Sequence, residues 1–154
     1  MKRFLLTVLV LTGLALCSCA TMNPVVPLPN DILIVSPNSN LSPEIKAFSG
    51  KWGGRWWNPS GNIGDGNDAV LIIEKIINER QVIVVYAWGD SFAWNITKGW
   101  ARFNMNISRN EEGKLVLSSS SSRGRFEIRV EKDKLEGIFR GHFTNFITMK
   151  KRIQ

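Results

Sequence analysis

Fifteen consecutive residues, 86–100, hold five aromatic side chains: Tyr86, Trp88, Phe92, Trp94 and Trp100. Asp90, Asn95 and Lys98 are interleaved with them, and Gly89 and Gly99 bracket the middle as a loop or lid. Aromatic faces beside a few hydrogen-bonding groups suit a ring, a sugar face or a lipid headgroup. Trp88, Trp94 and Trp100 are the candidate contacts, with Asp90 and Lys98 as polar orienters. The same residues could also serve as a plug, three indoles filling a small core. The domain from Gly50 onward has only 105 residues, so its strands are short, which favours the plug over a large cavity.

Covalent chemistry finds less support. Gly89-Asp90-Ser91 resembles the nucleophile block of one esterase family, but that chemistry needs a histidine base and a supporting acid within hydrogen-bond reach. His142 is the only histidine, and it follows Gly141 in a predicted turn with no aspartate two or three residues before it. An enzyme would need a carboxylate or His142 inside the domain beside Tyr86 or a serine; the expectation is a protein without catalytic residues. No cofactor or metal is expected either. Asp65 and Asp68 with their neighbouring glycines miss the alternating oxygen pattern of a calcium loop, and no glycine-rich phosphate cradle precedes a helix.

The elements that position these residues are read from periodicity. Phe126, Ile128 and Val130 alternate with Glu127, Arg129 and Glu131, and Ala101, Phe103, Met105 and Ile107 alternate with polar residues, as in half-buried strands. Val70–Ile77 and Val82–Trp88 are apolar on both faces. Their β-branched content argues for strand, although periodicity alone would allow a helix over 70–77. Turn signals divide the chain into eight strands: 51–57, 69–77, 81–88, 99–108, 114–120, 124–132, 134–140 and 143–151. Ser118–Ser122 is read as the end of a strand and a turn. Before the strands, Ser42-Pro43-Glu44 starts a short helix ending at residue 48. The fold class is all-β: an eight-stranded antiparallel up-and-down barrel preceded by that helix, with a two-sheet sandwich as the competing arrangement.

A helix, then Gly50-Lys51-Trp52, then seven more meandering strands and a terminal Lys150-Lys151-Arg152 resembles the calycin group, the lipocalins and their small relatives. The resemblance covers residues 42–154. It implies a structural floor built from Gly50, Trp52 and a basic side chain of the last strand, Arg152 or Lys150, over the indole face. Gly54-Arg55-Trp56 offers a second Gly-x-Trp, so either tryptophan could take the floor. The resemblance also implies a ligand mouth at the loop 89–98.

The N-terminus is an address. Lys2 and Arg3 precede thirteen mostly apolar residues, Phe4–Leu16, the pattern of a secretory signal and too short for a lasting membrane span. Leu16-Cys17-Ser18-Cys19 resembles the lipobox of bacterial lipoproteins. Cys19 is the better-fitting acceptor because a small residue precedes it; Cys17 is the alternative. This divides the chain into a signal peptide, 1–18, a lipid-anchored tether rich in Pro, Asn and Ser, 19–41, and the barrel domain, 42–154. Residues 31–35 form an apolar interruption, either a short strand or a patch that docks on the domain. Two or more acyl chains, palmitate among them, would hold such a protein stably. By the same resemblance, Ala20 in place of an aspartate implies the outer rather than the inner membrane, if the cell has one.

From Gly50 the domain has 17 basic and 11 acidic residues. For an anchored, exported chain this balance points to lipid, glycan or acidic envelope partners rather than nucleic acid. The expected function is binding of a hydrophobic or amphipathic small molecule, or an envelope polymer, at the barrel mouth. A filled barrel acting as an inhibitor or assembly factor through its outer surface is the alternative. If Cys19 carries the lipid, Cys19→Ala moves the protein from the membrane to the soluble fraction, whereas Cys17→Ala leaves it membrane-bound.

Overall fold

The computed structural model describes residues 26–61 and 66–152; both cysteines, the apolar run before them, the start of the tether and Asp65 lie outside these. The elements in order are α1 (Pro43–Lys46), β1 (Gly50–Trp57), β2 (Asp68–Asn78), β3 (Gln81–Trp88), β4 (Gly99–Arg109), β5 (Leu115–Ser121), β6 (Gly124–Glu131), β7 (Lys134–Arg140) and β8 (Thr144–Lys151). Each strand pairs antiparallel with the next. β8 returns to β1 with Trp52 opposite Lys151 and Trp57 opposite Phe146, so the meander closes into one eight-stranded barrel. Residues 70–77 are strand, as their β-branching predicts.

The inward positions follow the period of two. Trp52, Leu71, Val84, Met105, Leu117, Ile128, Leu135 and Met149 are buried in one core that α1 caps through Ile45 and Phe48. Ser42 caps that helix through its hydroxyl, which accepts from the Ile45 N–H, and Pro43 sits in its first turn. Both Gly-x-Trp tryptophans point inward. Trp52 takes the floor, where its Nε1–H donates to the Phe48 carbonyl (2.8 Å). Trp56 lies four residues further along β1, towards the other end. The cation over the Trp52 ring is Lys151, its Nζ 5.1 Å from the centroid. Arg152 packs instead over Gly53, where a Cβ would come within 2.5 Å of its Nε.

Residues 31–35 do not join the sheet. They form a strap across the outer face of β2 to β4. The register of β2 against β3 shifts between Ile73 and Lys75, a bulge centred on Glu74. The Glu74 carbonyl accepts the Val35 N–H (2.7 Å). Its side chain, nearly buried, meets Arg102 (2.8 Å), and Arg102 also takes the Asp31 carboxylate in a two-point contact (2.9 and 3.0 Å). These hydrogen bonds from Arg102 hold the Asp31 carboxyl below its ordinary 3.8. Under the strap, the outward-facing Ile72, Val85 and Ala87 are almost wholly buried, which explains why β2 and β3 read as apolar on both faces.

The two contributions at the floor differ in size. Trp52→Ala removes a buried indole and leaves a cavity, so it is expected to cost about 3–5 kcal/mol in denaturant unfolding. Lys151→Met loses only a cation over an indole face and is expected to cost under about 1 kcal/mol.

Candidate ligand site at the open end of the barrel

The ends of the barrel are unlike. The floor is filled by Trp52 and the α1 side chains. The opposite end, where β1 ends and β2 begins and where the connections 89–98, 122–123 and 141–143 lie, opens into a cavity of about 640 Å³. Its depth is aromatic. Trp56 and Phe126 have ring centroids 5.5 Å apart, Tyr86 and Phe126 5.7 Å, and Tyr86 stacks on Trp88 at 5.6 Å. Phe103 and Phe139 complete the apolar lining. The Trp56 Nε1–H donates to the Tyr86 hydroxyl (2.6 Å), so two polar atoms inside this aromatic chain satisfy each other. Burial pushes the Tyr86 phenol up to about 12.

The facing wall is small and polar. Ser119, Ser120, Ser121 and Gly124 line the cavity, with Asn145 and the Arg123 side chain at its edge. Here the wall also parts. The β4–β5 register runs only from Asn106 opposite Ser118 to Arg109 opposite Leu115, whereas β3–β4 is paired from Gln81 to Trp88. Small residues and a parted wall leave open the space that short strands led one to expect filled.

The lid is built, not loose. Ser91 and Ile96 exchange two backbone hydrogen bonds (2.9 Å each), making 89–98 a small hairpin with Asn95 at φ 49° in its turn. Its neck is held by Asp90, whose carboxylate accepts the Lys98 backbone N–H (2.8 Å). Trp88 donates from Nε1 to the Thr97 carbonyl (2.8 Å). Gly99 lets that indole lie flat, since a Cβ there would come within 2.9 Å of it.

The predicted site residues therefore separate. Trp88 and Trp94 line the cavity, together with Asn95, Ile96 and Thr97. Asp90 and Lys98 face solvent and brace the hairpin. Trp100 lies on the outer surface of β4, 44% exposed. Ser91 is buried with its Oγ accepting the Trp94 N–H (3.3 Å), while His142 stands exposed on another turn, edge-on to Phe143. Of the basic cluster after the serine run, Arg125 pairs with Glu127 (2.8 Å) and Arg129 with Glu136 (3.0 Å); Arg123 makes no ion pair among the described residues. The lining that sequence reasoning missed is Trp56, Tyr86, Phe126, Ser119 and Ser121. Extending the inward parity of Leu117 and Ile128 would have found the last three.

Comparison with protein-family models, curated proteins and solved structures gives no match.

Tyr86 is the only tyrosine, so its ionisation can be followed by absorbance without ambiguity. The phenol is expected to titrate near 12 in the folded chain and near its ordinary 10.0 once unfolded. Because folding raises this pKa, the stability it contributes is complete below the unfolded value and is lost as pH climbs from there towards the folded value.

Proposed function

We propose that the chain is a membrane-anchored envelope lipoprotein with a lipocalin-like barrel that binds a hydrophobic or amphipathic small molecule at its open end. The cavity carries this reading. At about 640 Å³ it falls within the usual range of ligand pockets, and it combines an aromatic depth with a few polar groups on one side. Burying an apolar body against Trp56, Tyr86, Trp88 and Phe126 supplies the driving force. Ser119, Ser121, Asn145 and Arg123 can orient a polar or anionic end. The lipocalin-like part is supported by the helix closing the floor, by the buried Trp52, and by the cation of the last strand above it. The anchor rests on the Cys19 sequence pattern.

A titration with dodecanoate, phosphoglycerol headgroups and simple sugars, followed by tryptophan emission, tests the reading. Dodecanoate is expected to shift the emission, Trp88→Ala to weaken its binding roughly tenfold, and Ser119→Phe, which fills the cavity, to abolish it. No response to any of the three classes would contradict the proposal.

A further inference from the structure

The exposed large hydrophobic residues divide by type and place. The aliphatic ones, Leu33, Val35 and Ile77, lie on the strap and the far end of β2. Among the described residues, the four aromatic ones all stand at the open end of the barrel. Phe92, at the tip of the lid hairpin, is fully exposed; Phe143, in the 141–143 turn, is 65% exposed; Trp57 ends β1 and Trp100 begins β4, both about half exposed. They come from two parts of the rim, Trp57 and Phe143 from the end of β1 and the turn before β8, Phe92 and Trp100 from the hairpin after β3 and the start of β4. A phenylalanine with no neighbour at a hairpin tip contributes nothing to the fold. Trp57 stacks on Phe146 and Phe143 lies edge-on to His142, yet both rings stay about half or more exposed, and four exposed aromatics around one opening resemble those that sit at a membrane–water interface. Arg123 and His142, exposed on turns at the same end, can meet lipid phosphates.

The path of the strap supplies the second argument. Followed towards the N-terminus, it leaves α1 at the floor, passes Glu74 at Val35, and reaches Arg102 at Asp31. Arg102 is three residues from Gly99, where β4 begins at the open end. The chain thus climbs from floor to mouth, and residues 26–29 continue as a half-buried run. Only six residues lie between Cys19 and Val26, seven steps of the chain. Extended, they span about 23 Å, close to the height of an eight-residue strand. A tether from an anchor at Cys19 would therefore join the described chain on the mouth side of the barrel.

We infer that the open end docks on a phospholipid bilayer, with the lid hairpin and the 141–143 turn inserted into its interface. The cavity then opens onto the membrane surface. This goes beyond the small-molecule reading, because the rim can dock whether or not the cavity is occupied; the strap argument alone rests on the proposed Cys19 anchor.

Hydrogen–deuterium exchange of the full chain on vesicles of phosphatidylethanolamine and phosphatidylglycerol tests the inference. Wild type is compared with Phe92→Ser/Phe143→Ser. Both side chains are exposed, and unchanged protection of β2 and β3 verifies that the variant is folded. On vesicles, amides of 89–98 and 141–144 in the wild type are expected to exchange at least about fivefold more slowly than in the variant. Exchange in the floor turns 110–114 and 132–133 is expected to be unchanged by vesicles in both. Equal exchange of the rim in the two proteins would overturn the inference. So would protection of the floor turns instead, which would show docking through the lysines gathered there (Lys132, Lys134 and Lys150).

Discussion

The seam between β1 and β8 is the contact on which the rest of the molecule depends. β1 is hydrogen-bonded to β2 on one side and to β8 on the other, and it brings the strands together through glycine. A Cβ on Gly54 would lie 2.2 Å from the Thr148 carbonyl oxygen, so the backbones meet there more closely than any side chain allows. Two residues on either side of Gly54, Trp52 and Trp56 turn inward, one into the filled floor and the other into the open half. Their indole N–H groups are satisfied by the Phe48 carbonyl, just past α1, below and by the Tyr86 hydroxyl above. Closure removes exposed sheet edges and at the same time fixes the height of both rings.

The open half owes its space to an asymmetry between walls. β1 to β3 contribute Trp56, Tyr86 and Trp88, large rings that hold one another through a hydrogen bond and stacking. β5 and the start of β6 contribute serines and a glycine. Large residues on one wall facing small ones usually interdigitate and leave no gap. Here β5 diverges from β4 above Asn106, so the small residues do not move in to meet the rings. The strap works in the opposite sense on the outside: it covers the apolar outer face of β2 and β3, so that face is not presented to solvent.

The fold was legible because its signals were local. Alternation in 101–107 and 126–131, β-branching in 70–77, and glycine or asparagine turns gave eight strands whose boundaries lie within one residue of those observed in nearly every case. The short helix came from Ser42-Pro43. The site was only partly legible. Aromatic density drew attention to 86–100, but density carries no direction: Trp88 pairs with Gly99 and Trp100 with Ala87, so the first turns inward and the second outward. Ser119 and Ser121 carry no chemical signal of their own and become lining only through the parity of β5. The role of 31–35 was undecidable because a strap and an edge strand share the same apolar composition; the deciding feature is the bulge at Glu74, which depends on pairing between distant residues.

The central claim is that an amphipathic ligand enters the aromatic half of the barrel and leaves the floor untouched. The six tryptophans provide six indole N–H reporters, and two of them, Trp52 and Trp56, sit in opposite halves of one strand. Nitrogen-15 correlation spectra recorded during addition of a medium-chain fatty acid test this directly. The account predicts that the indole signals of Trp56, Trp88 and Trp94 move together and saturate while that of Trp52 stays in place; movement of Trp52 alone, or no saturable movement of the other three, would contradict it.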